Sequence, residues 1–433
     1  MKNVNLKFFS NLLLLALLPL SLSAQYSKTY KKSLDAKQEL EIMHRRGALK
    51  VLPSKDGKVS YEMLVKIEAK SEEAANQMFN AISISDDTFG DRLTLTTATE
   101  IKSMMVNNRK STIKLRDGTK IQGVRSIEID MIVYTPKVQK LEVDHKYKQV
   151  SIESNLTKDL ELKLYSCRMQ VGSVPGALAI ECKYTKGNMG TVGGDAQLDL
   201  YDSDIKFNTL GNVRLESKYG ELIFGDVKDL RAKTYDDKIE LKNINGIFIL
   251  DDKYSQLRLA SAGECEFDIY DSEVKINKTG NLKIKSKYTE YDLGEVGAVN
   301  FVESYDDVVD IESAKSLETY SKYTDYEIDL LHNKLEIESY DDNFVIGKVG
   351  PNFEGAEFDG KYAELRIDSD NELKYRLEID ARYGKVDLEE EAFEFQIYKE
   401  ANSELYAKGK SKGATDSSPL ILMKGYNNKI RIR

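Results

Sequence analysis

From about residue 180 one phrase recurs at a spacing of about 17–18 residues, and that spacing narrows the possible folds more than any other feature of the chain. The phrase has two alternating forms. One reads Ser-Lys-Tyr, at Ser217-Lys218-Tyr219, Ser286-Lys287-Tyr288 and Ser321-Lys322-Tyr323, with variants at Cys182-Lys183-Tyr184, Asp252-Lys253-Tyr254 and Gly360-Lys361-Tyr362. The other carries Tyr-Asp, at Tyr201-Asp202, Tyr235-Asp236, Tyr270-Asp271, Tyr305-Asp306 and Tyr340-Asp341. Setting the Tyr of the first form against the Asp of the second aligns both without a gap. The result is a single column of Tyr184, Asp202, Tyr219, Asp236, Tyr254, Asp271, Tyr288, Asp306, Tyr323 and Asp341.

Three and five residues past the column each unit has an apolar pair, such as Leu222 and Phe224 or Ile239 and Leu241. Upstream the alternation resumes, as in Val213 and Leu215 or Leu282 and Ile284. A period of two means strands with one buried face, and punctuation such as Asn243-Ile244-Asn245-Gly246 marks turns between them. Such a unit cannot bury its apolar face alone, whereas stacked units bury a continuous column. The reading is a mainly β fold: a β-solenoid, a single-stranded β-helix of about 17–18 residues per coil with a perimeter near ~57 Å. Parallel crossovers favour a right-handed wind.

A coil of both forms together would stack Asp202, Asp236, Asp271, Asp306 and Asp341 about 4.8 Å apart, and like charges so placed destabilise. The shorter coil alternates Tyr with Asp in one column, open to hydrogen bonding. The neighbouring outward column then sets Lys183, Lys218, Lys253, Lys287 and Lys322 between tyrosines, open to cation–π contact. A β-sandwich of meandering hairpins is the competing fold, but its loops would vary more in length than these do.

The first residues read as a secretory signal, residues 1–24. Lys2 and Lys7 supply the positive start, Leu12 to Leu22 the apolar run, and Ser21, Ser23 and Ala24 the small residues before a cut at Gln25. The run is short for a membrane-spanning helix, which needs about 20 residues. No transmembrane helix is expected once the signal is removed, and no Cys sits beside the cut to carry a lipid. The expected location is the periplasm or cell surface. A net charge of −9 argues against nucleic acid as partner.

Residues 25–140 precede the repeat and read as a small α+β capping domain. Ser71 caps a short helix running to Ala81, with strands on either side. Within it, residues 98–122 carry Lys102, Arg109, Lys110, Lys114, Arg116 and Lys120 around a turn at Arg116-Asp117-Gly118-Thr119; this stretch is a candidate contact surface, or simply a solvated hairpin. Residues 141–400 form the repeat solenoid, where Tyr362 falls out of step, and 401–433 a terminal cap that protects the open edge.

The phrases resemble those of an uncharacterised family of exported bacterial adhesin-like β-strand repeat proteins, auto-transporter adhesin-like in character. The similarity covers most of the chain after the signal. Leu40 to Val51 is similar to the family's opening strands, and Tyr134-Thr135-Pro136-Lys137 before Leu141-Glu142-Val143 to its entry into the repeats. Tyr147 carries the first Ser-Lys-Tyr-like phrase as His145-Lys146-Tyr147. The resemblance implies a β-helical fold and a cell-envelope or adhesin-like role. The 98–122 insertion departs from its pattern.

Signals for chemistry are sparse. His44, His145 and His332 lie in different regions and are expected at the surface. Cys167, Cys182 and Cys265 are expected as small core residues, with a Cys167–Cys182 bridge as the alternative. The Asp pairs at 236–237, 251–252, 306–307 and 341–342 are expected to cap turns rather than hold calcium, because the Gly-rich nonapeptides of calcium β-rolls are missing. No phosphate loop, nucleophile elbow or zinc motif is present. No catalytic residue, metal ligand or cofactor is assigned. The expected function is a non-enzymatic envelope protein presenting a surface to a protein or glycan partner. Tyr201, Tyr235, Tyr270, Tyr305 and Tyr340 form the candidate binding strip, unless they only stack on the lysines. A polysaccharide lyase or hydrolase and an envelope sensor are the alternatives.

Overall fold

The computed structural model describes residues 23–107, 111–368 and 373–432. The signal region before residue 23, and Arg109 and Lys110, lie outside them. Strands dominate, and successive long strands pair in parallel: Asp204–Lys218 with Glu221–Tyr235, that with Lys238–Lys253, and that with Gln256–Tyr270. Leu222 faces Ile239, which faces Leu257, so each coil is one phrase long and not two. Parallel ladders of this kind make a solenoid and exclude the sandwich of antiparallel hairpins.

The inward residues form straight columns. Ile205, Leu222, Ile239, Leu257, Val274, Tyr291, Val309, Tyr326, Phe344, Leu365 and Ile430 are all buried in one core running the length of the stack. Burying each such side chain is worth about 1.5–3 kcal/mol, which is where the repeat obtains its stability. Where one coil is a residue longer than its neighbour, the extra residue is absorbed as a bulge. Val302 is such a case: Ile284 pairs with Phe301 but Lys285 with Glu303, leaving Val302 exposed. Tyr362, expected out of step, is in register, because Lys361 pairs with Tyr340 and the added residues are taken up in the turn at 350–354.

Before the repeat, Ala24–Leu34, Val59–Ala69 and Val124–Thr135 form an antiparallel sheet. Helix Glu72–Asn80 packs on it through Ala75, Met78 and Phe79. Its first turn is closed by the Ala74 amide donating to Ser71 Oγ at 3.2 Å. The 98–122 stretch is a small separate sheet of Ile101–Val106, Ser111–Leu115 and Lys120–Gln122, with the turn at Gly118. Coil-like stacking begins as early as Glu39–Arg45 and Leu49–Pro53, which pair in parallel with Val138–Ile152.

At the far end the coils are out of sequence order. Gly355–Lys361 and Glu364–Ile367 form one coil, and Arg376–Arg382 with Lys385–Asp387 another. They do not touch as neighbours. Leu420–Tyr426 and Lys429–Ile432 lie between them, paired in parallel on both sides.

Candidate functional site

Every coil turns at the residue of the aligned column, and each of these residues has a left-handed backbone. The φ values are 57° at Tyr184, 46° at Asp202, 61° at Tyr219, 53° at Asp236 and 63° at Tyr254, and the pattern continues through Asp271, Tyr288, Asp306, Tyr323 and Asp341. Asp tolerates this region well, but a bulky aromatic there is unusual and costs about 1–2 kcal/mol.

The compensation lies in the rings. The Tyr of one coil sits at the corner itself, and the Tyr of the next sits one residue earlier, in the column where Lys218 pairs with Tyr235 and Tyr235 with Lys253. Each coil therefore contributes one ring, alternately from two backbone positions. Those positions turn successive rings perpendicular. Tyr147, Tyr165, Tyr184, Tyr201, Tyr219, Tyr235, Tyr254, Tyr270, Tyr288, Tyr305, Tyr323, Tyr340, Tyr362 and Tyr426 form an unbroken edge-to-face ladder, with centroids 5.3–5.8 Å apart and planes at 69–84°. Tyr383 ends it, tilted at 53° against Tyr426. Each such contact is worth about 0.5–1.5 kcal/mol beyond burial, so two per ring offset the strained corner.

This arrangement corrects two expectations. Among the described residues no hydrogen bond joins a column Tyr to a column Asp. Of the five lysines expected over tyrosines of the strip only Lys287 has one, Tyr305, at 5.7 Å, while Lys322 lies over Tyr320 instead. The tyrosines partner one another because each ring has a ring of the adjacent coil in edge-to-face reach on both sides, while the ammonium groups stay solvated. The five residues of the expected strip are also the less open half of the ladder. Tyr201, Tyr235, Tyr270 and Tyr305 are half-buried and Tyr340 is 37% exposed, whereas the corner set Tyr184, Tyr219, Tyr254, Tyr288 and Tyr323 is 44–45% exposed. The signal for this in the sequence is the one-residue offset between the tyrosines of the two phrases. Partial burial and neighbouring phenols hold Tyr184, Tyr219 and Tyr254 above the ordinary phenol range, so they remain neutral hydroxyls.

The residue after most corners of the column, Gly220 excepted, is polar and turned inward, and it closes the turn of the coil before it. The Gly220 amide donates to Asp237 Oδ1 at 2.6 Å, and Ser217 Oγ to the same oxygen at 3.0 Å. Asp342 takes the Thr324 amide and Ser321 Oγ, both at 2.8 Å, and Asp307 the Thr289 amide at 2.8 Å. Ser203, Ser255 and Ser272 do the same with hydroxyls. Burial pushes Asp237 and Asp342 up to about 6 and raises Asp307. These carboxylates are engaged in turn closure, as expected of turn caps.

The histidines depart from expectation more sharply. His44 and His145 are fully buried and stacked, with centroids 5.3 Å apart and planes 7° from parallel. They occupy the column that holds Leu164 in the next coil, so the register carries them inward. His44 Nδ1 meets Thr97 Oγ1 at 2.9 Å, while His44 Nε2 and both ring nitrogens of His145 have no hydrogen-bond partner among the described residues. Burial lowers His44 to about 3 and His145 to about 4. His332 is half-buried and meets Ser313 Oγ at 3.1 Å. The three cysteines are free and buried, with no Cys167–Cys182 bridge, and burial pushes their thiols up to about 11 to 12. Among the described residues no three His, Cys, Asp or Glu side chains are placed to hold a metal, and no helix is long and apolar enough to cross a membrane.

No known family pattern matches the chain, and no curated protein does. Solved structures overlap it loosely. A proposed adhesin from Bacteroides fragilis is 14% identical, covers 59% of this chain and 95% of its own, and has a TM-score of 0.27. A proposed cell adhesion protein from Clostridium sporogenes is 9% identical, covers 94% and 99%, and has a TM-score of 0.18. A proposed lipid binding protein from Parabacteroides distasonis is 11% identical, covers 74% and 94%, and has a TM-score of 0.19. Overlaps of this size carry no argument about ligands.

Proposed function

We propose that this chain is a non-enzymatic, exported cell-envelope scaffold, adhesin-like in role, that presents the tyrosine corner of its solenoid to a glycan or protein. The observation that carries this reading is the continuity of the ring ladder. The ladder offers phenol hydroxyls and ring edges in a line, on a backbone that two strand ladders hold at every step. Tyrosine binds with little loss of rotamer entropy and offers both apolar and hydrogen-bonding contact, which suits sugars and protein surfaces alike. Export rests on the basic and apolar pattern of residues 1–24.

The test replaces Tyr219, Tyr254, Tyr288 and Tyr323 together by Asn, which accepts the same left-handed corner. Retention on a panel of polysaccharides and on envelope extracts is compared with the parent at matched circular dichroism. The expected outcome is a drop in retention of tenfold or more. Unchanged retention would remove the ladder as the recognition surface, and released soluble sugar from the parent would overturn the non-enzymatic reading.

A further inference from the structure

The coil made by residues 420–432 is complete in every respect except chain order. Ile421, Met423, Ile430 and Ile432 join the buried columns. Tyr426 continues the ladder between Tyr362 and Tyr383. Asn428 closes the corner as Asp237 does elsewhere: it accepts the Ala363 amide at 3.1 Å and donates to the Gly360 carbonyl at 2.7 Å. Lys429 pairs with Glu364 at 2.7 Å on one side, and Arg431 with Asp387 at 3.0 Å on the other. The segment sits in a slot whose two walls, 355–367 and 376–387, both precede it in the chain.

This order has a physical consequence. The 376–387 coil has no parallel neighbour among the described residues until the 420–432 segment arrives, so the end of the solenoid closes last. Before closure, the 355–367 coil presents an unpaired parallel edge whose register, buried pockets and corner acceptor are all set for one sequence. A copy of that sequence on a second chain meets the slot identically. Closed and exchanged forms then make the same contacts and differ mainly in effective concentration, which is in the millimolar range for short tethers. The connection at 412–419 is mostly solvent-facing around Gly413, with Ala414 buried and the Pro419 carbonyl accepting the Arg376 amide at 2.8 Å.

We infer that residues 420–432 are an exchangeable donor coil, and that the slot between coils 355–367 and 376–387 is the site at which a second copy of this chain joins. Reciprocal exchange links two solenoids end to end and places two tyrosine ladders in one particle. It requires no new surface on either partner.

The experiment uses two full-length single variants, Glu364→Cys and Lys429→Cys. These positions are register partners on adjacent parallel strands, a spacing a disulfide can bridge. The native thiols are buried and do not compete. The variants are unfolded together, refolded at rising protein concentration and oxidised. Exchange predicts a 364–429 disulfide-linked heterodimer well in excess of the 1:2:1 ratio of random pairing, increasing with concentration. The E364C/K429C double variant, refolded dilute, closes its bridge internally and confirms that the geometry is intact. A random ratio, or no dimer, from singles whose double variant closes normally would overturn the proposal.

Discussion

His44 and His145 show how strongly a single position is governed by its column. Isolated histidines in a polar sequence are ordinarily solvated, but the alternation of Leu40, Ile42 and His44, and of Leu141, Val143 and His145, sets both on the inward parity of their strands. The pairing of Glu39–Arg45 with Val138–Ile152 then stacks the two side chains inside, in a column that continues through Leu164, Cys182, Leu200 and Ser217. The consequence is acid sensitivity. Their folded pKa values are depressed, so the stability they permit is full above the unfolded value of 6.5 and is lost as pH falls through about 4 and about 3. Replacing His145 by Leu, the residue of the next coil, is expected to shrink the loss of stability between pH 7.5 and 4.5 by about 2–3 kcal/mol in denaturant titrations. An unchanged pH dependence would show the pair to be hydrated.

Asp237 works in the opposite direction. Its folded pKa is raised to about 6, so its favourable contribution is full below the unfolded value of 3.8 and is lost as pH rises through about 6. Asp237→Asn keeps an acceptor for the Gly220 amide and removes the buried charge. The variant is expected to gain about 1–3 kcal/mol over the parent at pH 7.5 and nothing at pH 4. Equal effects at both pH values would mean that the carboxylate is not desolvated.

At the scale of the element, the recurring corner explains why the phrase has two forms. The sequence shows that Tyr and Asp alternate in one column, and it shows the tyrosines of the other column, but an electrostatic argument pairs each Tyr with Asp or Lys. The ring geometry was out of reach because it depends on φ at the corner, which turns one Tyr across the strand direction and leaves its neighbour along it. Tyr254 touches Tyr235 at 5.3 Å and Tyr270 at 5.6 Å. Tyr254→Ala keeps a Cβ at the left-handed corner, and so its strain, but removes both ring contacts, so a loss of about 1–3 kcal/mol is expected on thermal or urea unfolding. A neutral result would assign the compensation for the strained corner to something other than the rings.

At the scale of the whole molecule, the length of the coil was legible because the period is set by strand alternation and like-charge avoidance, both local in sequence. The cap helix was legible from Ser71 and the apolar positions after it. The placement of 420–432 between two earlier coils was not, since its Leu-Ile-Leu-Met and Lys-Ile-Arg-Ile strands would fit equally well at the outside of the stack. Parallel pairing of each phrase with the next is what aligns the tyrosines, the turn-closing carboxylates and the donor coil, so the coil length is the claim on which the rest depends. It is tested most directly by the distance between spin labels at Lys218→Cys and Lys322→Cys, the native thiols being buried. Six coil steps separate the corners at Tyr219 and Tyr323, which predicts about 29 Å plus the reach of the labels. A separation of about 14 Å plus the same reach, as for a coil of twice the length, would contradict the account.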